Sequence, residues 1–351
     1  MSYEGTKIIL LVKIDKTMYN QIATLVKKGS YLSVDNFVQI AVRNQLLLET
    51  EGRIEVAKHH PGQTTGAKRP RSQFSTSVRV RKKTEMETLG TPPLNESIRS
   101  APIWGQINRL VPAKLVLRVL YNSLSTSDDR SVDLRRFSAD VAEQATALRR
   151  FAKRRDKTRR VRGEEIYVGF PKKTPSSQQR FLNYYVGKSP LKKWTDSILT
   201  GLSLVSIEEM EDGSTVIGLT EAGLKFALLH SPLLDDFFLD RKQIDAPLSG
   251  DEVSFLIDQI KSVRPGEYEL LTFTLDSIRK GADTPTKLRD SIFPFLKGKN
   301  LRMKLSEKVA NGMQVGVIGR LVEMRLLKIE KEAQRSNYRL TRKGEKLIEQ
   351  L

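Results

Sequence analysis

The chain has 351 residues, enough for two or three domains, and 60 Lys and Arg against 41 Asp and Glu leave a net charge of +19. That balance favours a polyanionic partner, nucleic acid ahead of an anionic membrane surface. Cysteine is absent, which excludes a disulfide framework and thiolate metal sites, and no apolar run approaches the roughly 18 residues of a membrane-spanning helix.

The first predicted element is a β-rich run, Thr6 to Ile14. Asp15 then caps an amphipathic helix with Met18, Ile22, Leu25 and Val26 on one face, and Gly29 stops it. Ser33 caps a second helix whose apolar residues, from Val34 through Phe37, Ile40 and Val42 to Leu48, cover most of its circumference. About 45 residues cannot close a core alone, so a second copy of the same segment is the simplest partner.

These residues resemble the ribbon-helix-helix DNA-binding proteins. The matching features are the ribbon ending in Ile14, the turn Gly29-Ser30-Tyr31-Leu32-Ser33 and the run Phe37 to Arg43. The resemblance covers residues 6–49 and implies a homodimer whose paired strands enter a DNA groove, with Ser33 at a helix N-terminus touching phosphate. Strand alternation sends Lys7, Ile9, Leu11 and Lys13 outward. Lys7 and Lys13 are the cationic contacts, whereas Ile9 and Leu11 offer only apolar contact, for example to thymine methyls.

Residues 53–100 read as a disordered basic linker, interrupted by Pro61, Gly62, Pro70, Pro92 and Pro93 and charged by Lys68 to Arg71 and Arg79 to Lys83. In residues 101–245 helices are expected at Ala113 to Leu124, Leu134 to Phe151 and Ser176 to Val186. A helix from Trp194 to Leu202, a strand Leu204 to Ile207, a turn at Asp212-Gly213, a return strand Thr215 to Leu219 and a helix capped by Thr220 follow. Residues 246–351 repeat that ending: a helix from Val315 to Met324, a strand Leu326 to Ile329, a turn near Gln334 to Asn337, then Tyr338 to Leu340 and a helix capped by Thr341.

Helix, strand, hairpin and Leu-Thr-x-x-Gly resemble the end of a winged-helix domain, present twice. The implied fold class is mainly α with short β elements: an N-terminal ribbon-helix-helix (residues 1–52), a flexible linker and two winged-helix-like domains. The resemblance places the helix before the first strand in the major groove and the hairpin on the backbone. Gln314 and Arg320 are expected on the exposed side of that helix in the second copy, with Arg335, Asn337 and Arg339 on its wing. The first wing is acidic, through Glu208, Glu209, Glu211 and Asp212.

The densest charge is Arg149 to Arg162, nine cations and one acid. Arg149, Arg150, Arg154, Arg155, Arg159, Arg160 and Arg162 are its candidate phosphate contacts. His59, His60 and His230 are the only histidines, and no Walker loop, dinucleotide fingerprint or HExxH motif occurs. No catalytic residue, cofactor or metal is therefore expected. The first expectation is a non-enzymatic, homodimeric, cytoplasmic DNA-binding protein, a transcription regulator by default, with no membrane association. The alternative is a nucleic-acid-binding subunit of a larger nucleoprotein assembly, on DNA or RNA, whose ribbon and first wing contact protein partners.

Overall fold

A computed structural model describes residues 15–27, 34, 86–126, 129–159, 165–187, 197–236, 246–299, 304–332 and 335–350. The chain divides into two units, residues 1–69 and 70–351. In the first, α1 spans Lys16–Lys27, with Ile22 buried and Tyr19 exposed. The ribbon, the Gly29 turn and all of the second helix but Val34 lie outside the described residues.

The second unit is mainly helical with few short strands. It begins inside the segment read as linker. Residues 86–100 are placed, because Leu89 is buried and its N–H donates to Leu219 O at 2.7 Å, close against Gly218. The expected disordered stretch is corrected at its end: one leucine opposite a strand glycine finds a site that local composition could not reveal. A short helix, α2 (Glu96–Arg99), follows.

Two similar halves come next. In the first, α3 (Val111–Leu124) leads to β1 (Val132–Asp133), the long helix α4 (Leu134–Arg159), α5 (Pro175–Tyr185) and the single turn α6 (Ile198–Gly201). Strands β2 (Val205–Glu209) and β3 (Thr215–Leu219) form the hairpin, and α7 (Glu221–Leu228) closes the half. The sheet is antiparallel in the order β1-β3-β2, with Val132 opposite Ile217 and Val205 opposite Leu219.

In the second half α8 (Gly250–Val263) opens on a reciprocal capping box between Ser249 and Glu252. Then come α9 (Pro265–Arg279), α10 (Pro285–Lys297), α11 (Glu307–Glu323), β4 (Leu327–Glu332), β5 (Arg335–Leu340) and α12 (Arg342–Glu349). Tyr338 N–H donates to Asp283 O at 2.7 Å, so Asp283 occupies the position against β5 that β1 occupies against β3. β5 begins at Arg335, which pairs with Glu332. Arg335 to Asn337, expected in the turn from Gln334 to Asn337, are strand instead, because polar residues continue the strand.

Both halves share one hydrophobic core running from Ile103 to Ile348. Segment 101–110 is threaded along α11, and glycines permit the approach. A Cβ on Gly316 would stand 2.4 Å from Gly105 O, and one on Gly319 2.6 Å from Asn108 O. Buried carboxylates then satisfy the backbone of that segment: Glu267 accepts from Ile103 N–H at 2.8 Å, and Glu323 accepts from Leu110 and Val111 N–H at the start of α3. Burial pushes both carboxyls upward, against the pull of Arg320 on Glu267 and of Arg109 on Glu323.

Candidate nucleic-acid interface

The cationic part of α4 is built on an amphipathic helix. Val141, Ala145, Leu148 and Ala152 face the core and are buried. The helical period then turns Arg150, Lys153 and Arg154 outward, and all three are exposed. Arg149 does not join them. Its Nη1 donates to Tyr167 O at 2.8 Å and Phe170 O at 2.6 Å, and its guanidinium lies 4.8 Å from the Tyr167 ring centroid. Arg149 thus fixes the turn after the basic tract, and partial burial lowers its pKa from the usual arginine value.

That turn delivers more charge. Exposed Lys172 and Lys173 follow Phe170, and Lys172 N–H donates to Ser177 Oγ at 2.9 Å in the first turn of α5. Gln178 Nε2 reaches back to Thr146 Oγ1 at 3.1 Å, one turn before Arg150 on α4. The start of α5 and the outer side of α4 are therefore neighbours. Together they present Arg150, Lys153, Arg154, Lys172 and Lys173. The sequence expectation does not include the two lysines, although their place just before Thr174-Pro175, a helix-opening pair, is a readable signal.

The remaining candidates separate. Arg155 and Arg159 lie on the α4 backbone, while Lys7, Lys13, Ser33, Arg160 and Arg162 lie outside the described residues. Gln314 and Arg320, expected on an exposed helix face, are buried. Gln314 Nε2 donates to Pro285 O at 2.7 Å; Arg320 Nε donates to Glu267 Oε1 at 2.8 Å and Arg320 Nη1 to Ile107 O. They are corrected to packing residues, because segment 101–110 and α9 cover Arg320 and the start of α10 covers Gln314. The exposed stripe of that helix is Lys308, Asn311 and Val315.

The second hairpin is less cationic than expected. Lys328 opposes Arg339 and Glu330 opposes Asn337, so strand alternation puts both signs on one face. Arg339 is exposed and pairs with Glu330 at 3.1 Å. Asn337 is half-buried within β5 rather than at a tip. On the first hairpin Glu208, Glu209, Glu211 and Asp212 are all exposed, together with Met210. The exposed end of that hairpin is therefore acidic.

Among the described residues, no helix is long and apolar enough to cross a membrane, and no group of three or more His, Asp or Glu is placed to hold a metal ion. Searches of protein-family models, curated proteins and solved structures returned no match to this chain.

Proposed function

We propose that the chain is a non-enzymatic DNA-binding protein that grips duplex DNA by its phosphates, acts as a homodimer through residues 6–49 and serves as a transcription regulator. The observation that carries the reading is that exposed Arg150, Lys153 and Arg154 lie on α4 beside the start of α5, into which exposed Lys172 and Lys173 lead, in a chain of net charge +19. Three cations on α4 and two in the segment leading into α5 give phosphates a preformed electrostatic partner, and release of DNA counterions supplies the affinity. The sheet order β1-β3-β2 and the Thr-capped helix after each hairpin support the winged-helix resemblance.

Fluorescence anisotropy with a labelled duplex over a salt series tests it. The R150A/K153A/R154A variant should bind all duplexes more weakly, with the slope of log K against log salt flattened by roughly 2–3. An unchanged slope removes the interface. The second reading, a subunit of a larger nucleoprotein assembly, is favoured by the exposed acidic hairpin with Met210 among its carboxylates. Such a surface repels phosphate and suits a basic protein partner. Size-exclusion with scattering separates the two, since the first requires a dimer of the chain alone.

A further inference from the structure

Beside the phosphate-binding surface, α5 carries chemistry of another kind. Ser176, Gln179, Arg180 and Asn183 recur at three- and four-residue spacing on one helical stripe. The first three are exposed and Asn183 is half-exposed. The opposite stripe is anchored. Phe181 and Tyr185 are buried with their ring centroids 4.8 Å apart, and Tyr185 Oη donates to Arg109 O at 3.1 Å. The helix is held from behind, so its outer stripe has one orientation.

Two of the outer side chains hold each other. Gln179 Nε2 donates to Asn183 Oδ1 at 3.0 Å across one turn. That bond leaves Gln179 Oε1 as an acceptor and Asn183 Nδ2 as a donor, and exposed Arg180 is the next residue of the same stripe. Carboxamides match the N6/N7 edge of adenine, and the arginine fork matches O6/N7 of guanine. Residues 179 and 183 are about 6 Å apart along the axis, close to two base-pair steps.

Resting on the DNA-binding reading above, we infer that this stripe of α5 reads base edges in the major groove of duplex DNA while the adjoining cations of α4 and Lys172-Lys173 hold the flanking phosphates. A helix with its side chains is about 10–12 Å across, and the B-form groove about 12 Å wide. Cations at the end of a reading helix lie where the phosphate walls of a groove stand. RNA fits this face less well. The A-form major groove is too narrow for side chains, and single strands are read by stacking on aromatic rings. Here Phe181 and Tyr185 point inward and the Tyr184 hydroxyl is committed to Gln106 Oε1.

The test is selection of a preferred site from a random-sequence duplex pool by the full chain, followed by titration of that site and a scrambled duplex. Wild type is compared with Q179A/N183A and with R180K, which keeps the charge and loses the fork. All three should melt together, since the altered side chains lie outside the core. Each variant should hold the scrambled duplex within about 3-fold of wild type and keep its salt slope, while losing roughly 5- to 100-fold in preference for the selected site. An unchanged preference, or an equal loss on both duplexes, overturns base reading and leaves phosphate binding standing. A wild type that binds every duplex alike, or binds RNA more tightly, overturns it in the same way. A wild type that binds no nucleic acid overturns the functional reading itself.

Discussion

Ser203 and Arg325 hold the same left-handed backbone conformation, with φ of 52° and 56°, at the same point of the two repeated hairpins. Each follows a helix that ends in a Schellman motif. In the first half Ser203 N–H donates to Thr200 O and Leu204 N–H to Leu199 O; in the second Arg325 N–H donates to Val322 O and Leu326 N–H to Leu321 O. Downstream the correspondence continues. Thr220 Oγ1 donates to Ser203 O at 2.7 Å and Thr341 Oγ1 to Arg325 O at 2.6 Å, and each threonine also accepts from the N–H three residues on, Gly223 or Gly344. The repeated Thr-x-x-Gly is thus a clamp that ties the helix after the hairpin to the turn before it.

The clamp explains the glycine. A Cβ at Gly223 would stand 1.8 Å from Leu204 O and one at Gly344 2.2 Å from Leu326 O, while Gly213 has open space around it. Gly223→Ala and Gly344→Ala should each cost at least about 2 kcal/mol in urea unfolding, because backbone must move. Gly213→Ala should cost only about 1 kcal/mol, from its φ of 77° alone. Losses at Gly223 and Gly344 no larger than at Gly213 would show that the close approach to Leu204 O and Leu326 O is not what requires glycine there.

Arg325 is exposed, so its left-handed conformation is the natural place to relieve strain. Arg325→Gly should raise stability by about 0.5–1 kcal/mol, the steric relief exceeding the extra freedom of glycine in the unfolded chain. The urea midpoint should rise with the m-value unchanged. A lower midpoint would mean that the Arg325 side chain contributes more than its backbone costs.

The hairpins, the caps and the exposed acidic hairpin end are legible because they are written in short-range pattern: period-two strands, threonine before a helix, glycine three residues on. Partners distant in sequence were not. From sequence Arg320 reads as a surface cation because its charge suits water. Glu267, 53 residues away, and Ile107 O instead give it a buried partner set. Arg149 was read with its tract for the same reason, although Tyr167 and Phe170 carbonyls claim it. On the second hairpin Glu330 is legible by alternation with Lys328, yet counting cations alone conceals it. The α5 stripe carries no charge run, and only burial of Phe181 and Tyr185 reveals which side faces outward.

The Arg320–Glu267 pair has both side chains fully buried, at 0% exposure. Removing one partner leaves a charge without compensation in the core, so Arg320→Met should cost about 3–5 kcal/mol. The double variant R320M/E267Q should recover part of that loss, since glutamine still accepts from Ile103 N–H and neither residue is charged. Chemical denaturation of the four proteins closes the cycle. If the folded fraction of R320M binds duplex DNA as wild type does, the residue is a packing residue only. Weaker binding by that fraction would return it to the interface.

Lys114 gives a dependence on pH with an unusual sign. It is buried on α3, where Nζ lies 3.2 Å from Glu252 Oε1, donates to Leu229 O at 2.7 Å and sits 4.7 Å from the Phe226 ring centroid. Burial, opposed by the Glu252 charge, lowers its pKa from 10.5 to about 8. Below pH 8 folded and unfolded chains both carry the proton, and the folded state bears the full cost of the buried ammonium. Between about pH 8 and 10.5 the unfolded chain binds more protons, so stability rises with pH. Glu252, raised by its own burial, acts at the acid end: its contribution falls as pH climbs from the ordinary glutamate value through the folded one. The comparison protein is K114M/E252Q, neutral at both positions. From pH 7.5 to 9.5 the unfolding free energy of wild type, minus that of the variant, should increase by on the order of 1–2 kcal/mol. A flat or falling difference would show that Lys114 stays charged throughout, with the Glu252 carboxylate outweighing the loss of water.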